Sequence, residues 1–329
     1  MNVLVTGGNG FLGRAIVEQL LARGDSVRAL GRGDYPELRA LGVRCFRANL
    51  ADSSADLAPA LRGCEVVFHV AAKAGVWGGW HDFYRNNVSA TQRVLRAAVR
   101  ADVPKLVYTS SPSVAIGAGD LCGADERTPY PARYLAPYPA TKALAERFVL
   151  AQRAILTVAL RPHLIWGPRD PHIVPRLLER ARAGRLRRIG PGTNLVDVTY
   201  VDNGARAHLQ AADSLHERAH TRGRAYFVGQ PEPVNMWQFV DELLTQCGIA
   251  PVRGSIGAPA AMRLAGILER IYRAARITRE PPLTRLMVAQ MSQSHWFSHA
   301  AAARDFGYAP TISTDEGLRR TAAWFTAGA

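Results

Sequence analysis

Over the first 165 positions, apolar residues fall into short continuous runs that alternate with helical stripes. Asn2–Thr6 (NVLVT) has the length and β-branching of a buried strand. Leu12, Ile16, Val17, Leu20 and Leu21 then recur at helical spacing as far as Gly24. Strand-like runs return at Ser26–Gly31, Val43–Asn49, Glu65–Ala72, Lys105–Ser111 and Thr157–Pro162. Helical stretches lie between most of them, notably Asn86–Ala101 and Tyr138–Ala151. Strands without polar alternation, separated by helices, predict a parallel sheet covered on both faces. After Pro162 the rhythm changes. A helix at Val174–Gly184 precedes a strand–helix pair (LVDVTY, VDNGARAHLQAAD), a strand RAYFVG, a helix near Asn235–Cys247 and a loosely patterned tail. The expected fold class is α/β: a doubly wound parallel sheet over 1–165, to which 195–214 returns, and a smaller C-terminal substrate lobe over 166–329.

The chain has 329 residues and a formal charge of +14, but 38 of its 41 basic side chains are arginine. With alanine also abundant, that bias reads as background composition, and no nucleic-acid module accompanies it. Nucleic acid is therefore not an expected partner. Cys45, Cys64, Cys122 and Cys247 show no metal-like spacing, which suits a reducing cytoplasm; the histidines show no ligand spacing, so no metal is expected. Nothing precedes the first strand that reads as a signal peptide, and no apolar stretch has the length of a membrane span.

The sequence TGGNGFLG follows the first strand and opens the first helix, the context that a glycine-rich dinucleotide loop requires. Glycine lets the turn tighten and the backbone approach a pyrophosphate, while the helix N-terminus offers free N–H groups to the anion. The sheet is thus expected to be of the Rossmann type. The second strand ends RALGRG: Gly31 stands where an acid would read the ribose of NAD, and Arg32 follows. No carboxylate repels a 2′-phosphate there and a guanidinium can pair with it, which predicts NADP(H).

Tyr138 and Lys142 are four apart in a helical pattern and share a face. Ser110 and Ser111 end the strand KLVYTSS, at the edge where open α/β sheets bind ligands. A carbonyl that accepts hydride needs a proton on its oxygen. A tyrosine brought down from a pKa of about 10 by an ammonium can give it, and a serine hydroxyl can hold the oxygen.

Gly7-x-x-Gly10-x-x-Gly13, Ser111 and Tyr138-x-x-x-Lys142 resemble an extended short-chain dehydrogenase/reductase, and HVAA, NNVSATQRVL, LRPHLIWGPRD, YVDNGARAH and FSHAAAARDFGYAP follow in that family's order. The resemblance implies that Ser111 orients the substrate oxygen, Tyr138 transfers the proton and Lys142 binds the nicotinamide ribose. It places Gly7, Gly10, Phe11, Leu12, Gly13, Asn49, Leu50, Ala71, Ala72, Lys142 and Pro162 around the cofactor, beside the Arg32 already read from the strand end. The family usually has Asp where Asn49 stands. Pro139 disfavours helical angles at Tyr138, so Tyr138 is expected to cap the helix that Pro139 opens.

AAKAGVWGGW, GRGDYPELRALGV, PRLLERARAGRLR and NLVDVTYVDN resemble the 3β-hydroxysteroid dehydrogenase-like branch, and within it the bacterial 2-alkyl-3-oxoalkanoate reductases of olefin biosynthesis. The implied reaction is NADPH-dependent reduction of a branched β-oxo acid. Lys73, Trp77, Trp80, His163 and Trp166 are expected in the substrate cleft. The alternatives are a 3β-hydroxysteroid or sterol-4-carboxylate dehydrogenase, a nucleotide-sugar epimerase or dehydratase, and a non-catalytic NADP-sensing protein. A helix at 260–275 carries Leu264, Ile267, Leu268 and Ile271 on one face and Arg263, Arg270 and Arg273 on the other. Such a helix either packs on the protein or lies on an anionic membrane surface, here the inner membrane face. The resemblance also implies homodimers as a common assembly.

Overall fold

The computed structural model describes residues 1–327. Asn2–Thr6 (β1), Ser26–Gly31 (β2), Arg44–Arg47 (β3), Val66–His69 (β4) and Lys105–Thr109 (β5) form the expected strands. Leu156–Pro162 and Arg224–Val228 extend the sheet, and all seven strands are parallel. From one edge the order runs Arg224–Val228, Leu156–Pro162, β5, β4, β1, β2, β3. The chain order reverses between β1 and β4, so the carboxyl ends of these two strands border the crevice where such sheets take their ligands.

The helix Phe11–Ala22 (α1) buries Leu12, Ile16, Val17 and Leu20 against one face of the sheet, beside Val201–Ser214. Ala90–Arg100 and Pro137–Leu150 cover the other face with Val94, Leu95, Ala98, Ala145 and Val149. A Cβ on Gly204 would lie 3.2 Å from the Thr199 side chain, so glycine there lets Val201–Ser214 turn closely off that residue.

The span assigned to the lobe contributes more to the sheet than its sequence pattern suggested. Arg224–Val228 is an outer strand of the main sheet, and Ala302, Phe306 and Tyr308 pack into the main core. The lobe has its own core of Trp166, Trp237, Phe239, Val240, Leu243 and Leu318. LVDVTY is two short strands rather than one. Leu195–Val196 joins a four-stranded sheet with His295–Phe297, whereas Thr199–Tyr200 pairs with Ile165–Trp166. No helix among the described residues is long and apolar enough to cross a membrane.

Candidate active site

The loop after β1 closes on itself. Gly7 has a φ of +69° and donates its N–H to the Leu30 carbonyl at 2.8 Å, while its own carbonyl accepts from Gly10 at 2.8 Å. A Cβ on Gly13 would collide with the Gly7 carbonyl, and one on Gly7 would sit 3.0 Å from the Ala71 Cα. Gly10 is the N-cap of α1 and brings no capping side chain, and the first turn of α1 contains no acid. The first N–H groups of α1 are therefore left for an anion. A backbone cradle with no room for side chains, opening onto a helix N-terminus at the sheet's reversal, fits the pyrophosphate of a dinucleotide.

The other residues expected around the cofactor differ in their exposure. Ala71 donates its N–H to Thr6 Oγ1 at 3.2 Å, which fixes the end of β4 beside the loop. Leu50 is buried and Asn49 is exposed, its Oδ1 accepting from the Ala51 N–H at 3.1 Å. Arg32 and Ala72 are exposed, and Pro162 ends its strand two positions from β4. His69 is fully buried between Thr6 Oγ1 at 2.7 Å and Thr91 Oγ1 at 2.9 Å, and desolvation lowers its pKa to about 3. It is a neutral strut beneath the loop.

Ser111, Tyr138 and Lys142 converge at the end of β5. Lys142 is almost fully buried and donates from Nζ to the Thr109 carbonyl at 2.6 Å, with the Tyr108 ring centroid 4.3 Å away. Burial lowers its pKa to about 7, against an upward pull from Glu146 one turn on. Ser111 has extended backbone, and its Oγ lies 2.9 Å from Ser113 Oγ. The Tyr138 phenol is raised above the ordinary tyrosine value by desolvation, and the Ser111 hydroxyl works in the opposite direction. Lys142 thus spends its charge on a carbonyl and a ring face. The lowered phenol pKa expected from the i, i+4 spacing is not present in this arrangement.

The helix begins earlier than expected. Pro137 occupies its first turn and Ala136 is the N-cap, so Tyr138 lies inside the first turn and does not cap it. Both Pro137 and Pro139 are tolerated because first-turn N–H groups have no intrahelical partner to lose.

A π-helical segment, Tyr84–Ser89, ties the cleft to this helix. Asn87 Oδ1 accepts from the Lys73 N–H at 2.7 Å, and its Nδ2 donates to the Lys73 carbonyl at 3.0 Å and to Thr141 Oγ1 at 3.1 Å. Thr141 Oγ1 in turn donates to the Tyr138 carbonyl at 3.0 Å. Phe83 is fully buried with its ring 6.3 Å from that of Tyr138, and Lys73 Nζ lies 5.2 Å over Phe83 while pairing with Asp82. Trp77 makes a T-shaped contact with Tyr272 at 6.2 Å and donates to the Ile277 carbonyl at 3.4 Å, bridging this loop to the lobe helix Ala258–Ala274. Trp80 is largely exposed beside Tyr84.

Two cleft expectations fare differently. His163 is buried against His295 and Phe297, with its Nδ1 unpartnered. Trp166 is not in the cleft. It is 1% exposed, wedged between Tyr200 and Phe239 in the lobe core, because pairing of its short strand with Thr199–Tyr200 turns the indole inward.

Thr109, Asn87 and Glu146 escaped the sequence reading. Thr109 acts through its carbonyl, which no side chain announces, and Asn87 through a contact 54 positions away. Glu146 had a signal, the i, i+4 spacing from Lys142.

A reversal-point glycine cradle facing a Ser–Tyr–Lys cluster defines a nicotinamide-dependent dehydrogenase or reductase of the short-chain type. The chain belongs to the 3-beta hydroxysteroid dehydrogenase/isomerase family, which it matches over residues 4–255. It is 47% identical over 325 residues to a 2-alkyl-3-oxoalkanoate reductase of Stenotrophomonas maltophilia, covering 97% of this chain and 98% of that one. It is 37% identical to the decarboxylating sterol-4-alpha-carboxylate 3-dehydrogenase of Mus musculus, covering 96% and 89%. Among solved structures, MoeE5 in complex with UDP-glucose and NAD superposes with a TM-score of 0.76 at 28% identity, covering 100% and 99%.

Proposed function

We propose that the chain reduces the 3-oxo group of a lipidic 2-alkyl-3-oxo acid to the 3-hydroxy acid with NADPH. The convergence of Ser111, Tyr138 and Lys142 on the end of β5 carries the chemistry, and the near full-length likeness to the Stenotrophomonas reductase supports the substrate. A reduced dinucleotide held in the glycine cradle would supply the hydride for the carbonyl carbon. Ser111 holds the carbonyl oxygen with its hydroxyl. Tyr138 gives that oxygen its phenolic proton as negative charge develops, so the product leaves as a neutral alcohol. Lys142 would hold the nicotinamide ribose, and its charge would ease departure of the phenol proton. Gly7, Gly10, Phe11, Leu12 and Gly13 would hold the pyrophosphate, Asn49 and Leu50 would border the adenine, Ala71 and Ala72 would line the cofactor, and Pro162 would meet the nicotinamide edge. Lys73 and Trp77 form the rim that meets the acyl substrate, backed by the buried Phe83 ring.

The sterol 4-carboxylate is a second reading, supported by the mouse relative, whose name like that of the reductase specifies a carboxylate. The deciding experiment follows NADPH oxidation with 2-alkyl-3-oxo acids and 3-oxosteroids side by side. Turnover of the oxo acids at kcat/KM at least tenfold above the steroids is expected; the reverse order would install the sterol reading.

We also propose that the helix Ala258–Ala274 rests on an anionic membrane surface. Leu264, Ile267 and Ile271 stand exposed at helical spacing, with exposed Arg263 and Arg270 beside them, while Ala261, Ala265 and Glu269 bury the opposite side. Co-sedimentation with anionic but not neutral vesicles is expected, and loss of it in Ile267→Glu/Ile271→Glu; equal recovery with both vesicle types removes this reading.

A further inference from the structure

At the end of β2 the chain turns through Gly31, Arg32, Gly33, Asp34 and Tyr35 before the short helix Pro36–Ala40. Tyr35 folds back over this turn. Its ring packs against the main core, and its hydroxyl accepts the Gly33 N–H at 3.1 Å. A Cβ built on Gly31 would fall on that hydroxyl, and one on Gly33 would lie 3.0 Å from the ring. The space through which an acidic side chain would leave the strand end is therefore filled by a neutral phenol.

A hydroxyl has one proton and two lone pairs. The bond from Gly33 uses a lone pair and leaves the proton to be donated. The surroundings are cationic. Arg32 is exposed and takes part in none of the ion pairs among the described residues. Arg47, at the end of β3, donates Nε to the Arg32 carbonyl at 3.1 Å. Asp34, the acid of the turn, is already paired with Arg39.

We propose that Tyr35 selects the cofactor: its hydroxyl donates to the 2′-phosphate, and its bulk bars the carboxylate that would read a 2′-hydroxyl. This rests on the NADP(H) reading and goes beyond it by assigning the discrimination to a residue other than Arg32. Arg32 and Arg47 supply charge on flexible stems. Tyr35 supplies position, because core packing and the Gly33 bond fix its oxygen.

Isothermal titration calorimetry with NADP⁺ and NAD⁺ separates the parts without any turnover. The wild type is expected to bind NADP⁺ more tightly; tighter NAD⁺ binding would refute the NADP(H) reading and the phosphate half of this proposal with it. Tyr35→Phe keeps the ring, so its Kd for NADP⁺ should rise about tenfold, the loss of one charge-assisted hydrogen bond, while that for NAD⁺ stays within about twofold. Equal weakening of both cofactors would mean a merely structural role and overturn the phosphate half. The steric half is read independently. Gly31→Asp alone should not improve NAD⁺ binding, whereas Gly31→Asp/Tyr35→Ala should improve it about tenfold over the single variant. The same gain from Gly31→Asp alone overturns it.

Discussion

Lys142 Nζ stands 2.6 Å from the Thr109 carbonyl oxygen, at the point where β5 ends and Ser111 begins two residues later. One hydrogen bond thereby ties the helix that carries Tyr138 and Lys142 to the strand that leads into Ser111. The other side of Thr109 is held too, since its Oγ1 lies 2.8 Å from His208 Nε2, whose Nδ1 is 2.7 Å from the Gly204 carbonyl. The site is built on the junction of a strand with helices from both faces of the sheet.

Burying that ammonium costs stability, with a definite pH dependence. The folded pKa is about 7 against an ordinary 10.5, so between these values the unfolded chain holds a proton that the fold does not. Stability from this group therefore rises with pH across that window, and below about pH 7 the fold bears the whole cost. Lys142→Met should raise Tm by about 1–2 °C at pH 6–7, as expected for about 1 kcal/mol in a chain of this size, and the gain should shrink toward pH 10. Thermal unfolding across pH measures this, and NADPH oxidation should be lost in the same variant.

Removing the Tyr138 hydroxyl tests the proton donor. Tyr138→Phe should lower kcat for carbonyl reduction by about 10²–10⁴-fold, the range for general acid catalysis, while NADP⁺ affinity by calorimetry stays within about twofold. Retained turnover would pass the proton transfer to another group.

Acid should destabilise the fold through its histidines. His69 and His163 titrate at about 3, and His208 and His295 at about 4, all lowered by burial. Below about pH 6.5 the unfolded chain takes up protons that these imidazoles refuse, so stability falls with pH in that range, by at most about 2 kcal/mol per group at pH 5. His295 is fully buried with both ring nitrogens unpartnered. His295→Leu should therefore lessen the loss of Tm between pH 7 and pH 5, as seen by circular dichroism.

Behind Lys142 lies a buried ion pair. Arg161 donates to Glu146 at 2.6 Å and 3.0 Å, and the Tyr130 hydroxyl donates to the same carboxylate at 2.6 Å. Arg161→Met alone strands that charge and should cost about 3–5 kcal/mol in urea unfolding. Arg161→Met combined with Glu146→Leu should recover a large part of it, because no charge is then left unpaired.

Gly13→Ala probes the cradle. Its methyl group would meet the Gly7 carbonyl. Calorimetry should show NADP⁺ binding weakened at least about tenfold, since the loop must open to admit the group and the pyrophosphate contacts go with it.

The sequence by itself determined the strand–helix alternation, the glycine loop and the Tyr138–Lys142 face. Each is set by local periodicity or by backbone freedom at particular residues. Gly7 needs its positive φ, and the i, i+4 spacing of Tyr138 and Lys142 needs only a helix. Tertiary structure alone decided what those residues touch. Arg224–Val228 joined the main sheet because its partner is a strand more than 60 positions earlier. Trp166 entered the lobe core through pairing with Thr199–Tyr200, and the Lys142 ammonium found a backbone carbonyl, which has no sequence signature. Tyr35 came to rest over Gly31 because the turn between them folds the ring back onto the core, a result of packing that no period in the chain encodes.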